Sequence, residues 1–190
     1  ITIKRQSSFG SANVDAIPAG NAILFLQKAK RKIRELQYNF DSDGYQAPDL
    51  TILNETVTDT GINEMSYQQE PGSNIWCVRD DGVLACLTYQ STENVIAWSR
   101  HIFGGAFGSG KAVCESVASI SGNLTEDEVW VIVKRTINGA TKRYVECFSD
   151  FDFDETDATD FKFLDSHLSY SGGATTTLSG LSHLELSLIH

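Results

Sequence analysis

The apolar positions of this chain gather in short blocks of β-branched and aromatic residues, each closed by a turn signal. Asn74-Ile75-Trp76-Cys77-Val78-Arg79 leads to Asp81-Gly82, and Val83-Leu84-Ala85-Cys86-Leu87-Thr88-Tyr89 follows. Val129-Trp130-Val131-Ile132-Val133-Lys134-Arg135 runs to Asn138-Gly139, and Lys142-Arg143-Tyr144-Val145-Glu146-Cys147-Phe148 returns. Asp-Gly or Asn-Gly between two β-prone runs predicts a two-residue hairpin, because both central positions of its turn need positive φ. With Asp81-Gly82 as the loop, position 80 pairs with 83 and 77 with 86. Cys77 and Cys86 then face each other as a non-hydrogen-bonded pair, their Cα atoms ~4.5 Å apart.

The hairpins belong to longer units. Ile62 to Tyr67 and a polar loop with Pro71-Gly72 precede the first; Cys114 to Ile120 and a loop with Gly122-Asn123 precede the second. Val95-Ile96-Ala97-Trp98-Ser99-Arg100-His101 supplies a further strand after the first hairpin. Trp76 and Trp130 stand 54 residues apart, a spacing that suits a four-stranded propeller blade. A weaker copy lies upstream, where Gly20 to Leu26 resembles Ser73 to Val78 and Ile33 to Tyr38 returns. Local signals conflict there. Residues 22–40 are rich in helix formers, with Ile23, Leu26, Ile33 and Phe40 on one helical face. The repeat register instead predicts a hairpin turning near Ala29-Lys30, and that is the expectation adopted. A short helical turn is expected after Pro48.

The predicted fold class is therefore all-β: antiparallel, blade-like four-stranded sheets forming a partial or open β-propeller. Residues 1–165 hold the repeats (about 1–55, 56–110 and 111–165), and 166–190 begin a following segment. Trp76, Trp98, Trp130, Tyr89 and Tyr144 are the expected repeat core. Asp81, Gly82, Asn138 and Gly139 are the expected hairpin turns.

Composition narrows the function. Of 190 residues, 41% are hydrophobic and 21% charged, an ordinary globular balance. The net charge of −10 disfavours a nucleic-acid partner, since phosphate binding needs a positive surface. No apolar run approaches the ~20 residues that span a bilayer. The opening Ile1-Thr2-Ile3-Lys4 reads as the interior of a longer chain. Cys77, Cys86, Cys114 and Cys147 form no C-x-x-C pair, so four reduced, buried thiols are expected rather than a zinc site.

Several motifs carry chemistry only in part. Gly105 to Ala112 matches most of a P-loop, but Ala112 lacks the Mg²⁺-binding hydroxyl and the next segment reads as strand, not helix. A glycine loop between blades is expected. Asp150, Asp152, Asp154, Glu155, Asp157 and Asp160 lack the glycine and glutamate of an EF-hand, and Phe151 and Phe153 alternate with acids as in an edge strand. No pair of acids is marked for glycoside hydrolysis, and no serine, cysteine or metalloprotease signature occurs. His101, His167 and His183 receive no role. Lys28, Lys30, Arg31, Lys32 and Arg34 form one basic cluster; Lys134, Arg135, Lys142 and Arg143 form another, expected near a hairpin tip as a contact for an acidic neighbour or as edge protection.

With the repeats located, an ordered series of segments becomes visible. It runs through Ser7-Ser8-Phe9-Gly10-Ser11, Gly20 to Phe25, Arg31-Lys32-Ile33-Arg34-Glu35-Leu36, Asp43 to Thr51, Met65 to Pro71, Ile75 to Gly82, Leu87-Thr88-Tyr89 and Ala97 to His101. It closes with Glu128 to Gly139. The series resembles the central region of nozzle or tail-hub proteins of short-tailed bacteriophages. That resemblance implies a β-propeller-type region within a structural virion protein, which forms a ring below the portal and adaptor and is assembled in the bacterial cytoplasm. Its implied partners are other copies of itself and the portal, adaptor and tail proteins, with no cofactor, catalysis, membrane or specific nucleic acid. Two departures stand out. Ala29-Lys30 occupies the place of a glycine pair, and Leu186-Ser187-Leu188-Ile189-His190 leaves the pattern, as in a fragment or prophage remnant. The rival expectation is a propeller-borne carbohydrate-binding module or glycoside-active enzyme, which requires tryptophans exposed in a row on one face.

Overall fold

The computed structural model describes residues 5, 7–122, 126–149, 165–168 and 170–184. The acidic stretch 150–160 and Asn123 of the Gly122-Asn123 loop lie outside them. Three meandering sheets follow one another along the chain, and every strand pair is antiparallel. Sheet I holds β1 (Ile17–Ala19), β2 (Ala22–Leu26), β3 (Ile33–Asn39) and β4 (Gly44–Gln46). Sheet II holds β5 (Ile62–Gln68), β6 (Asn74–Arg79), β7 (Leu84–Gln90) and β8 (Val95–His101). A small hairpin, β9 (Ala106–Phe107) with β10 (Gly110–Lys111), precedes sheet III: β11 (Val113–Ile120), β12 (Glu128–Ile137) and β13 (Ala140–Cys147). Among the described residues there is no α-helix, only single 3₁₀ turns at Glu55–Val57 and Ser182–Leu184.

The all-β class follows the blocks of β-branched and aromatic residues. Over residues 22–40 the hairpin prevails against helix propensity. Leu24, Leu26 and Ile33 are fully buried against sheet II, and such burial is worth ~1.5–3 kcal/mol per side chain. Propensity differences amount to tenths of that. The turn is closed by the Gln27 N–H to the Lys32 carbonyl at 2.8 Å, with Lys30 at φ +63°. Lys30 thus holds a left-handed conformation natural to glycine.

Two register expectations are corrected. The upstream copy slides by one residue, because Leu24 faces sheet II while Ile23 is exposed. Leu24, not Ile23, therefore stands where Trp76 stands in the next sheet. In sheet II, Trp76 pairs with Cys86 and Cys77 with Ala85. The loop has three residues, Asp80-Asp81-Gly82, not two. Arg79 N–H donates to the Val83 carbonyl at 3.1 Å, Gly82 N–H donates to the Arg79 carbonyl at 3.0 Å, and Gly82 sits at φ +80°. This is a turn followed by a left-handed bulge residue. Asp81 holds it, accepting from Val83 N–H at 3.2 Å and from the buried Arg79 guanidinium at 2.7 and 3.0 Å. Shifting the register by one residue moves side chains to opposite faces, so Cys77 and Cys86 point into different cores. By contrast, Asn138 (φ +50°) and Gly139 (φ +75°) form the expected two-residue turn between Ile137 and Ala140.

The cores are two layers on the two faces of sheet II. Ile75, Cys77, Ala85, Leu87 and Tyr89 pack with Leu24, Leu26, Ile33, Leu50 and Ile62. Trp76, Val78, Leu84 and Cys86 pack with Cys114, Val117, Val129, Val131 and Val133 of sheet III.

Candidate functional site

Successive sheets meet through one joint used twice. The Lys30 carbonyl, in the β2–β3 turn, accepts from Ile62 N–H at 2.9 Å, at the start of β5. The Gly82 carbonyl, in the β6–β7 turn, accepts from Cys114 N–H at 2.8 Å, near the start of β11. Both acceptors are left-handed residues, and each donor lies 32 residues beyond its acceptor. Side chains then lace the first strands of sheets II and III. The Glu64 carboxylate accepts from the Ser116 hydroxyl at 2.9 Å and Val117 N–H at 3.3 Å. Ser119 N–H donates to the Ser66 hydroxyl at 2.8 Å. Asp127, before β12, accepts from the N–H groups of Gln69 and Glu70 at 2.7 and 3.1 Å. The first strands of sheets II and III thus lie side by side.

Among the described residues, the stack ends in two open faces. On sheet III, Val129, Val131 and Val133 face sheet II and are buried. Trp130 and Ile132 point the other way and are half-buried, beside Val145 (69% exposed) and Ile120 (54% exposed). The β9–β10 hairpin covers only one end of this face: Lys134 Nζ lies 4.3 Å from the Phe107 ring centre, and Gly108 N–H donates to the Thr136 hydroxyl at 3.0 Å. On sheet I, the face turned from sheet II carries Ile23 (46% exposed), Leu36, Tyr38 and Tyr45. Tyr38 packs edge-on against Tyr45 and Phe40, and the Arg34 guanidinium covers Phe9 at 3.5 Å.

A polar cluster lies at the outer rim. Ser99 Oγ is 3.1 Å from His101 Nε2, and His101 Nδ1 is 2.7 Å from Asp165. Ile102 N–H donates to the same carboxylate at 2.9 Å, and Gly104 N–H donates to the Ser166 hydroxyl at 2.8 Å. Burial works against the Asp165 charge, but the His101 and Ile102 hydrogen bonds outweigh it and hold the carboxyl below its ordinary value. A cavity of about 310 Å³ lies beside this cluster, lined by Phe103, Phe148, Asp165, His167 and His183 among others. Among the described residues, the lining of this cavity does not include Ser99. The contacts instead tie residues 165–168 to the end of β8.

The predicted core residues have different fates. Trp76 and Tyr89 are buried. Trp98 is half-buried, with its ring N–H on the Leu50 carbonyl at 3.0 Å. Trp130 lies on the open face, its ring N–H on Glu128 at 2.9 Å. Tyr144 is exposed at the rim, its ring centre 5.5 Å from the Arg135 guanidinium. The expectation of four buried thiols is corrected: Cys77, Cys86 and Cys114 are buried, but Cys147 is exposed, on the open face across from Trp130. Burial pushes the Cys86 and Cys114 thiols up to about 12.

The basic tip is also corrected. Arg135 is wholly buried, held by the Glu146 carboxylate and donating to the Gly104 carbonyl at 2.7 Å. Lys134 and Arg143 converge on Glu115, and Arg143, then Lys134, hold that carboxyl below its ordinary value. Of the upstream cluster, Lys32 reaches Asp49 at 2.8 Å and Glu55 at 3.2 Å. The P-loop-like segment is a tight hairpin entering a strand. Ser66, Glu64 and Asp127, which build the joint, had no sequence signal, since isolated polar residues in strands and loops look alike. No known family profile matches this chain, and no curated protein is significantly similar to it.

Proposed function

We propose that this chain is a structural part of a virion, a blade-bearing segment of a phage tail hub or nozzle that assembles in a ring below the portal. One observation carries the proposal. The β12 core, Val129-Trp130-Val131-Ile132-Val133, is apolar without interruption, the pattern of a strand covered on both faces. Among the described residues, one of its faces is buried and the other is only half-covered. The segment series described above supports the same assignment, and so does the lacing of successive first strands.

The tryptophans weigh against a glycan-binding platform. Trp76 faces sheet III, Trp98 packs on the core between sheets I and II, and Trp130 faces outward, so no row of rings shares a surface. Mass spectrometry and antibody-labelled electron microscopy of purified particles test the assignment. The protein is expected at the tail, below the portal. Particles purified from producing cells that lack it altogether would overturn the assignment.

A further inference from the structure

We propose that the open face of sheet III docks on the open face of sheet I in a second copy of this chain, head to tail. The proposal deepens the reading of the chain as an assembly part and rests on it. The two internal joints supply the rule. The outward face of sheet I packs on the inward face of sheet II, and the outward face of sheet II on the inward face of sheet III. Trp130 occupies on β12 the place that Trp76 occupies on β6, each pointing away from the preceding sheet in the series. Trp76 shares a buried cluster with Val117, Val129 and Val131 of sheet III, and its ring packs on Phe148 at 4.9 Å.

The face available to Trp130 by the same rule is the first face of the series, and in this chain that face belongs to sheet I. Among the described residues, it exposes Ile23, Tyr38 and Tyr45 beside half-buried Leu36, with Arg34 on Phe9 at one end. It is also unlike the face it would meet, so the contact is heterologous rather than a face paired with itself. Two copies joined this way at both ends would bring six main sheets together, within the 4–8 blades of closed propellers. Among the described residues, the β9–β10 hairpin covers Lys134 and Thr136 but leaves Val145 and Ile120 exposed and Trp130 and Ile132 half-buried. The new contact is therefore centred on those four residues and lacks the turn-to-strand hydrogen bond of the internal joints.

Sedimentation of the purified full chain tests this, with two variants that alter only exposed positions. V145E/I120E puts charge on the sheet III face, and I23E/Y38E puts charge on the sheet I face. Wild type is expected at twice the chain mass of 20.9 kDa or above, and each variant alone at the monomer mass. An equimolar mixture of the two variants is expected to recover a dimer, because it retains one unaltered pair of faces. Circular dichroism matching wild type shows that each variant is folded. A wild type that is monomeric at every concentration overturns the proposal. So does a dimer that survives in I23E/Y38E, which would mean sheet III pairs with itself, or a mixture that stays monomeric. The particle experiment is separate: a chain found in tails but monomeric in solution keeps its structural role and loses this joint.

Discussion

Sheets II and III carry the same local sequence pattern and differ in how it is used. On β6, Ile75, Trp76, Cys77, Val78 and Arg79 are all buried, because sheet I covers one face and sheet III the other. On β12, burial alternates: Val129, Val131, Val133 and Arg135 are inside, and Trp130, Ile132 and Lys134 are only half-covered. Both runs are continuously apolar over their centres. A continuous run thus reports that a strand is meant for the inside of a stack, and the cover decides whether it gets there.

Exchanging the two tryptophans for alanine gives the largest test of that contrast. Trp76→Ala should cost about 3–5 kcal/mol, as loss of a large ring from a closed core does. Trp130→Ala should cost about 1 kcal/mol in dilute, monomeric protein. Urea denaturation measures both, and equal costs would erase the distinction between a covered and an open face.

The two turns give a smaller contrast. A methyl on Gly82 would lie 2.6 Å from Val113 Cγ1 and 3.0 Å from the Val113 Cα, at φ +80°. Gly82→Ala should therefore cost about 2–5 kcal/mol, adding left-handed strain to displacement of sheet III. Gly139 has the same kind of φ but nothing within 4 Å of an added methyl. Gly139→Ala should cost about 1–2 kcal/mol, from backbone strain alone. Similar melting temperatures for the two variants would show that the β6–β7 turn does not bear on the joint.

The smallest effect lies at the rim, where His101 and Asp165 hold the 165–168 segment. Because the folded Asp165 carboxyl lies below its ordinary value, its stabilisation is full above the unfolded carboxylate value of ~3.9 and disappears as pH falls through the lower folded value. Limited proteolysis should therefore find the segment held from neutral pH down to about pH 4 and released only in stronger acid. The expected contribution is below about 1 kcal/mol, since the pair is partly solvated. Release near pH 6 would show that the Asp165 charge is not what holds it.

Much of this was legible in one dimension. The strands around Trp76 and Trp130, the Asn138-Gly139 turn and the 54-residue spacing depend on neighbours in sequence, and local sterics decide them. The three-residue Asp80-Asp81-Gly82 loop is not legible locally, because Asp81 answers to Arg79, itself hydrogen-bonded to Asp59 at 3.3 Å. Arg135 looked like a charged tip, yet Glu146 and the Gly104 carbonyl draw it inside. The slide from Ile23 to Leu24 had the same origin: both residues are apolar, and only contact with sheet II chooses between them.

By itself, then, the sequence determined that this protein is built of tryptophan-bearing antiparallel meanders, because turn sterics and β-branched packing act over a few residues. Tertiary structure alone decided which face each strand buries, which carbonyls join one sheet to the next, and that Trp76 is enclosed while Trp130 is left open. Those outcomes depend on groups more than thirty residues apart, whose meeting is set by the order in which the sheets stack.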